Sequence, residues 1–423
     1  MNKSLSWEIP RVAGESKVEV LIYDGSARVT YSSVASLRGF ENLVIGRKVS
    51  EVPAIASRIC GVCSHPHFWA ASLAVEQIAG VEASEDTVRL RDVCNKLSFI
   101  QNHVIHLGVL APPDYLSREA SEQLAKKSLE INTYLNKVIK LVCGRLTSPN
   151  NYSMGRFLSD VSRRVLMSAL ELLKSVRPHL EGFTERVLDV ELPNSRDPSP
   201  RYVALSGSTR STVPRGQPYS LNTPTGRFAT TLENYRELFN ELHVEYSSSK
   251  KCLFLGYPFY VGARARLLSA LEYNELDGET RGVVASFEKK LKENPYSNIY
   301  AKAIESKLMF DSIVQDVSEL SSRDLELQPA TTRGASAGLG VVEAPRGLLI
   351  HYYEVDKDLK VVRADIATPT VMNTEHVELS ATSIAKELLA EGASDSTIQK
   401  YIEALVRAYD PCIPCAVHVV KVR

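Results

Sequence analysis

Two pairs of cysteines lie near opposite ends of the chain, each with two residues between its members. The pairs occur in RICGVCSHPH at 58–67 and in YDPCIPCAVH at 409–418. The paired residues are Cys60, Cys63, Cys412 and Cys415. A thiolate is the form of cysteine that binds metals, and this spacing lets two sulfurs converge on one ion. If both pairs serve one site, the two ends of the chain must meet, so we predict a single interwoven domain over 1–423.

Four thiolates in two such pairs could form three kinds of site. The simplest is a closed structural zinc site. The second comprises separate redox dithiols or an iron–sulfur cluster. The third is a reactive metal centre. A zinc ribbon keeps its pairs roughly 15–20 residues apart, whereas here almost the whole chain separates them. This separation favours a buried centre around which the fold is organised, although the three alternatives stay open on spacing alone.

Charged and polar residues flank both pairs: Arg58, His67, Asp410 and His418. Such groups orient metal ligands and are needed less in a purely structural zinc site. Ser64 and Pro66 are typical of an N-cap and a first helical position. We therefore expect the first pair to lie at the positive end of a helix, which stabilises thiolates.

Composition excludes several other classes of protein. The chain has 423 residues with 50 basic and 50 acidic side chains, so its net charge gives no reason to expect binding to nucleic acid or an anionic membrane. No apolar run approaches the roughly 18–20 residues that cross a bilayer, and the N-terminus lacks a signal-peptide pattern. We expect a cytoplasmic protein. An odd number of cysteines argues against a disulfide framework, and Cys94, Cys143 and Cys252 are expected to be core residues.

Hydrophobic periodicity predicts a mostly helical chain. Helices are expected at 67–80, 86–109, 119–142, 159–191, 229–246, 299–321 and 376–408. Pro178 should kink or divide the fourth of these. A β-hairpin is predicted at 17–33, loops with short strands at 192–226, and a strand-rich segment at 339–356. The predicted fold class is mainly α with small β-containing subdomains, an α+β fold.

The two cysteine motifs resemble those of the large, catalytic subunit of nickel–iron hydrogenases. That family carries RxCGxCxxxH near its start and DPCxxCxxH at its end, and both are complete here. Further matches are RGFE at 38–41, GR at 46–47, NHVIHL at 102–107, YVGARAR at 260–266, EAPRG at 343–347 and PTxxN at 369–373. The resemblance covers nearly the whole chain. It implies a central bundle of long helices, with both CxxC loops converging on a buried metal site.

The resemblance implies a nickel–iron centre. Cys60 and Cys412 would bind nickel terminally, and Cys63 and Cys415 would bridge nickel and iron. The iron would carry carbon monoxide and cyanide ligands. Soft thiolates suit such a redox-active site with an open coordination position.

The resemblance also assigns roles to residues around that centre. Arg346 would hang over the open metal position as a charge or a base. Arg346 and Thr370 would donate to cyanide, Pro369 would shape the pocket, and Cys412 could accept the proton of cleaved dihydrogen. Three further residues would surround the site: Arg58, His67 and Asp410.

Two further expectations follow from the family. Glu41 and His418 match the ligands of a hard cation, usually magnesium. Residues 419–423 match a short C-terminal extension that a maturation endopeptidase removes after nickel insertion. The two charges of this segment would be costly to bury beside the site.

The chain departs from the family at its proton-relay position. A glutamate is usual there, but PRVAGES at 10–16 places Ala13 at that position. Glu15 would lie on the same face if the segment is extended, so it could be catalytic in place of the missing glutamate. Ser148 stands where a histidine is more usual, and Arg156 where a glycine is expected.

The resulting hypothesis is a hydrogenase large subunit that cleaves dihydrogen reversibly. It would pass electrons to an iron–sulfur small subunit, because this chain has no spare cysteines for clusters. The sequence resembles the cytoplasmic group that couples to NAD(P) or a deazaflavin through further subunits. The alternatives are a non-catalytic electron-transfer scaffold, as in related respiratory subunits that have lost the cysteine pairs, and a zinc-stapled structural protein.

Overall fold

The computed structural model describes residues 3–34, 39–158 and 161–416, and it is built mainly from helices. The helices are α1 (Phe40–Val44), α2 (Val52–Ala56), α3 (Ser64–Ala79), α4 (Glu85–Ile105), α5 (Arg118–Cys143), α6 (Arg163–Leu188), α7 (Tyr235–Leu238), α8 (Ala263–Glu272), α9 (Gly278–Glu293), α10 (Asn298–Leu320), α11 (Pro369–Ala390), α12 (Asp395–Tyr409) and α13 (Ile413–Ala416). The strands are β1 (Lys3–Glu8), β2 (Ser16–Tyr23), β3 (Ser26–Ser33), β4 (Val81–Glu82), β5 (Tyr152–Ser153), β6 (Arg156–Phe157), β7 (Ala204–Leu205), β8 (Tyr219–Thr223), β9 (Gly226–Thr230), β10 (Phe239–Leu242), β11 (Lys251–Phe254), β12 (Ala330–Thr331), β13 (Ala337–Ala344), β14 (Gly347–Val355) and β15 (Val361–Ala367).

Four long helices form the centre of the protein. Helix α4 packs on α5, α5 on α6, α6 on α10, and α10 on α4, which closes a bundle. Each presents an apolar stripe at helical spacing; in α5 it consists of Leu124, Ile131, Leu135, Val138 and Val142. The predicted central bundle is therefore confirmed. Helix α6 continues through Pro178 without division.

A three-stranded antiparallel sheet, β13–β14–β15, packs against α3. The approach is close because β13 has glycine at the positions that face the backbone of α3. A Cβ on Gly340 would lie 1.9 Å from the carbonyl oxygen of Ala70. This packing places the start of α3, directly after the first cysteine pair, near the tight turn that joins β13 to β14.

The predicted N-terminal hairpin is present as β2 and β3, and β1 extends it to a three-stranded sheet. Its turn residues Asp24 and Gly25 both have positive φ, 47° and 75°, as a two-residue hairpin turn requires. Strand β3 packs on α11. The segment between β1 and β2 is thereby held next to the C-terminal end of the described chain.

The structure corrects three sequence-based expectations. Residues 229–246 are not one helix, because 239–242 pair with β11 as β10 and this pairing overrides their helical periodicity. The helix expected at 376–408 is two helices, α11 and α12, separated at Gly392, which has φ 73°. Ser64 is the first residue of α3 rather than its cap, and its hydroxyl instead accepts the backbone N–H of Ser148 (2.5 Å).

None of the helices given above combines the length and apolarity that crossing a membrane requires.

Candidate metal centre

The four cysteines of the two motifs meet in one buried cluster. The Sγ atoms of Cys60 and Cys412 are 3.2 Å apart, and those of Cys412 and Cys415 are 2.8 Å apart. All four sulfurs lie within 4.8 Å of one another, and none is in a disulfide. This is the arrangement that lets four thiolates bind at one centre. The expected convergence of the two ends of the chain is confirmed.

Backbone contacts from two other segments hold the C-terminal pair in place. Ala13 and Cys412 form a parallel β-bridge, and the N–H of Ile413 donates to the Ala13 carbonyl (2.8 Å). The N–H of Cys412 donates to the hydroxyl of Thr370, near the start of α11 (3.0 Å). Asp410 ends α12 in the left-handed conformation, φ 52°, and so turns the chain toward this contact.

The cluster favours a thiolate at Cys60. Hydrogen bonds from Cys412, Cys415 and Cys63 lower the pKa of Cys60 well below its usual value, and the charge of Arg346 adds to the effect. Burial and the neighbouring thiols raise the pKa of Cys415. A bound cation would deprotonate such thiols outright.

Arg346 directs a buried positive charge at the cluster. It lies in the tight turn between β13 and β14, where its Nη1 donates to Cys63 Sγ (3.1 Å) and its Nη2 to Asp410 Oδ1 (2.8 Å). Its Nε donates to the Asp410 carbonyl. Burial alone would lower the pKa of Arg346, but Asp410 and the thiols raise it well above its usual value. The guanidinium therefore stays charged.

Asp410 is shared by two buried cations. Lys302 Nζ donates to Asp410 Oδ2 (2.7 Å) from α10. Burial would raise the pKa of Asp410, but Arg346 and Lys302 outweigh it and hold this pKa well below the usual range. Burial lowers the pKa of Lys302 to about 8, against the attraction of Asp410. With its amide nitrogen facing Asp410, Asn102 donates to Oδ2 (3.2 Å) and accepts from Arg346 (3.3 Å).

Sequence reasoning missed Lys302 and the amide of Asn102. A lysine within the otherwise apolar start of α10 was the available signal, because a buried lysine is rare without an acidic partner. The partner could not be read from the sequence, since Asp410 lies on a different segment, 108 positions away.

The other expected site residues differ in whether they are buried or exposed. Thr370 and Pro369 are buried at the start of α11, and His67 is buried in the first turn of α3. Burial lowers the pKa of His67 to about 4, although the charge of Cys60 acts in the opposite direction. In contrast, Arg58 is exposed, with its guanidinium bonded to the Ala54 carbonyl. His418 and the segment 419–423 lie outside the described residues.

Glu41 and Glu15 are both outside the thiol cluster. Glu41 accepts the N–H of Ile366 at the edge of the β13–β14–β15 sheet (3.3 Å) and lines a surface cavity of about 1,020 Å³. Glu15 is exposed. The segment around Glu15 is not extended, because Gly14 has φ 99°. The premise that Glu15 shares a face with Ala13 therefore fails, and it is Ala13 that pairs with Cys412.

The donor set fits a soft, redox-active metal centre. Four buried sulfurs suit nickel, iron or zinc. A closed zinc site would not require a buried guanidinium 3.1 Å from one of its sulfurs. The Arg346 contact thus favours a centre with an accessible position on that side.

Comparisons with known proteins agree with this assignment. The family model described as nickel-dependent hydrogenase matches residues 38–149 and 219–418. The alpha chain of sulfhydrogenase 2 from Pyrococcus furiosus is 30% identical, over 98% of both chains. The alpha chain of coenzyme F420 hydrogenase from Methanothermobacter thermautotrophicus is 25% identical, over 93% of this chain and 88% of the other.

Solved structures show the same fold. An NAD⁺-reducing [NiFe]-hydrogenase in the H₂-reduced state superposes with a TM-score of 0.83 at 21% identity, over 98% of this chain and 99% of the other. The Ni-Fe-Se hydrogenase of Desulfovibrio vulgaris Hildenborough gives 0.75 at 19% identity, over 99% and 100%. The chain therefore belongs to the nickel-dependent hydrogenase family and is the large subunit of a nickel–iron hydrogenase, an oxidoreductase.

Proposed function

We propose that Cys60, Cys63, Cys412 and Cys415 hold the nickel–iron centre at which this chain cleaves dihydrogen heterolytically and reversibly. The observation that carries the proposal is the convergence of four buried sulfurs within 4.8 Å of one another, with the Arg346 guanidinium 3.1 Å from Cys63. When bound, the centre supplies the redox chemistry by taking the two electrons of dihydrogen. Cys60 and Cys412 would be terminal ligands of nickel, and Cys63 and Cys415 would bridge nickel and iron.

Carbon monoxide and cyanide on the iron are part of this proposal. Such ligands require a dry pocket with hydrogen-bond donors. The Arg346 guanidinium and the Thr370 hydroxyl are buried beside the thiols and can supply those donors, and Pro369 fixes the backbone next to Thr370. Arg58, His67 and Asp410 complete the proposed surroundings of the site.

The protein must also take up the released proton. We assign this step to Cys412, because it is fully buried and its neighbours hold it in place through the backbone. Arg346 acts as a fixed cation rather than as a base, since its pKa is raised by Asp410 and the thiols. A fixed positive charge aimed at the reacting position stabilises developing negative charge without reorganisation.

Magnesium at Glu41 and His418 is a further proposal. Glu41 supplies a carboxylate beside Ile366, and hard cations prefer oxygen ligands. Glu15 remains a candidate for proton transfer only at the protein surface, because its side chain is exposed.

We infer that this chain pairs with an iron–sulfur small subunit, because the relatives are alpha chains of hydrogenases. The other three cysteines, Cys94, Cys143 and Cys252, are buried and do not join the four-sulfur cluster. Further NAD(P)- or deazaflavin-reactive subunits, a cytoplasmic location and removal of 419–423 by a maturation endopeptidase belong to the same proposal.

Metal analysis and infrared spectroscopy of the purified complex test the proposed function. We expect nickel together with iron, carbon monoxide and cyanide stretching bands, dihydrogen-dependent dye reduction, and an intact mass that ends at His418. Cys412→Ser should lose nickel, whereas Cys252→Ser, a buried cysteine outside the cluster, should retain it. Zinc alone would support the structural alternative. A complex with neither metal nor dihydrogen cleavage would support the electron-transfer scaffold.

A further inference from the structure

The tight turn that carries Arg346 is in contact with a second buried arginine. Ala344 pairs with Gly347 where β13 turns into β14. Pro345 and Arg346 are therefore the two central residues of the turn. Arg266, near the start of α8, lies against this turn and is fully buried.

Each N–H of the Arg266 guanidinium has an acceptor. An arginine side chain has five such donors in a planar fork of fixed geometry. Nε and Nη2 donate to the two carboxylate oxygens of Glu305 (2.6 and 2.7 Å), and Nη1 donates to Oε2 of Glu343 (2.7 Å). The other two bonds go to backbone carbonyls of the turn, from Nη1 to Ala344 (3.1 Å) and from Nη2 to Pro345 (3.3 Å). With all its donors in use, the guanidinium cannot turn without breaking a bond to the turn.

The bond to Pro345 bears directly on the position of Arg346. The carbonyl oxygen of Pro345 belongs to the planar peptide group that also contains the nitrogen and Cα of Arg346. Fixing this oxygen therefore fixes the plane from which the Arg346 side chain starts. The proline ring restricts φ at position 345, so a displacement of the oxygen is passed on to Arg346.

The residues just before α8 hold the other side of the turn. Asn373 donates from Nδ2 to the Arg346 carbonyl (3.4 Å), and its Oδ1 accepts the N–H of Val261 (2.9 Å). Gly262 is so close that a Cβ there would lie 2.9 Å from the same Arg346 carbonyl oxygen. Arg266 follows one helical turn later, where its N–H donates to the Gly262 carbonyl (3.0 Å). The start of α8 therefore contacts both central residues of the turn.

The two carboxylates that bind Arg266 are fixed by other segments. Glu305 is on α10, and its Oε2 lies 2.7 Å from Nε2 of His103 on α4. Glu343 accepts the N–H of Leu205 on its Oε1 (2.9 Å). Arg266 thus connects the turn to the helix bundle on one side and to β7 on the other.

Stabilisation alone does not account for this buried group. Moving an ion pair out of water is costly, and replacing a buried pair by apolar side chains is often neutral or stabilising. A buried pair can instead select one geometry over others. The geometry selected here includes the Arg346 guanidinium, which donates to Cys63 (3.1 Å) and Asp410 (2.8 Å).

We propose that Arg266 is a positioning residue for Arg346, holding the turn so that the Arg346 guanidinium faces the thiol cluster. This inference rests on the proposed function, in which Arg346 is the fixed cation at the reacting position and a donor to cyanide. Replacing Arg266 should therefore displace Arg346 while leaving all four sulfurs and the Arg346 charge in the protein.

Arg266→Lys tests the proposal, because lysine keeps the positive charge but lacks the planar fork. The matched control is Arg264→Lys. Arg264 is also on α8, is equally buried and pairs with the buried carboxylate of Asp197, but its backbone acceptor is the Asn294 carbonyl (3.2 Å) on another segment. Three measurements are made on the purified complex: turnover of dihydrogen, the infrared bands of carbon monoxide and cyanide, and hydrogen–deuterium exchange of the backbone amides at 344–347.

We expect Arg266→Lys to lower turnover about 10²-fold, the cost of a misplacement of about 1 Å at a reacting centre. Its cyanide bands should shift from their native positions, because the proposed donor Arg346 has moved. Its turn amides should exchange faster than those of Arg264→Lys, which should keep the native bands. A merely stabilising role would affect the two variants alike.

Exchange of the turn amides does not require the metals, so it decides the test even if Arg266→Lys lacks them. If that variant does not fold, Glu305→Gln gives the same comparison, because it keeps Arg266 and removes one acceptor of its fork. Asp197→Asn is then the control. Native cyanide bands in the loaded variant, or turn amides that exchange as in the control, would overturn the proposal. A native complex without carbon monoxide and cyanide bands would show instead that the proposed function has failed.

Discussion

Ala13 lies directly beside Cys412, with the two backbones joined in a parallel bridge and the Ile413 N–H donating to the Ala13 carbonyl over 2.8 Å. Position 13 is therefore the point at which the N-terminal segment pairs with this cysteine. A methyl group can neither accept nor donate a proton. Cys412 is fully buried, so a proton on its sulfur must leave by another route.

We expect Ala13→Glu to accelerate proton release from the site. The new carboxyl group would stand beside Cys412, and a positioned acid–base group contributes about 10²–10⁴-fold where proton transfer limits the rate. An increase of about tenfold in D₂ exchange with water is the expected minimum. The matched control is Ala13→Gln, which has nearly the same size but no titratable proton. An equal increase in both variants would show that volume, not proton transfer, causes the effect.

Arg346→Lys should abolish most dihydrogen cleavage while leaving the metals in place. The two terminal nitrogens of Arg346 donate hydrogen bonds to Cys63 and Asp410 at the same time. The single ammonium group of lysine cannot reproduce this planar pair of donors. We expect a fall of about 10²-fold or more in turnover, the usual cost of losing a fixed electrostatic contact at a reacting centre. Turnover and nickel content are measured on the same sample. Arg215→Lys, an exposed surface arginine, is the control and should change neither. Unchanged turnover in Arg346→Lys would refute the role of the fixed cation.

The protein should lose stability below neutral pH because His106 is buried as a neutral imidazole. Burial lowers its pKa from 6.5 to about 3, and its Nε2 lies 2.6 Å from the Arg407 carbonyl oxygen. Below pH 6.5 the unfolded chain binds a proton that the folded chain excludes, so stability falls as the pH drops toward 3.

His106→Gln removes this proton uptake and isolates the contribution of His106. As the pH falls from about 6.5 to about 4, we expect the free energy of unfolding of the native protein to decrease by a few kcal/mol relative to that of the variant. Chemical denaturation at several pH values measures it. His179→Gln, at a half-exposed position, is the control for the replacement of a histidine by glutamine. A native-minus-variant difference that stays constant across this range would contradict the expectation.

The elements that carry the site were predictable because their signals are local. The spacing within each cysteine pair and the helical periodicity of α3, α4, α5 and α10 lie within short windows of sequence. The meeting of the two pairs was implied by the resemblance to a family whose metal centre uses all four sulfurs. By contrast, 239–242 became a strand because of its pairing with β11, which no pattern within those residues encodes.

The contacts between distant side chains were not predictable. His67 and His351 are 284 positions apart, and no pattern within either segment indicates that the two side chains meet. Their meeting depends on how closely α3 approaches β13 and β14. Glu15 illustrates the same limit, because one positive-φ glycine beside it changed the face on which it lies.

The close approach of α3 to the sheet should make Gly340→Ala strongly destabilising. The added Cβ would lie 1.9 Å from the Ala70 carbonyl oxygen, a backbone atom that cannot move without shifting the helix. Overpacking of this kind costs about 1–3 kcal/mol, and a shifted α3 would also displace Cys60 and Cys63. We expect a lower thermal midpoint by circular dichroism and reduced nickel content. Gly282→Ala is the matched control, because its Cβ would meet no atom within 4 Å in the exposed helix α9. Alanine favours a helix interior over glycine by up to about 1 kcal/mol, so the midpoint of Gly282→Ala should rise. A Gly340→Ala protein that unfolds at or above the native temperature would show that α3 does not depend on this contact for its position.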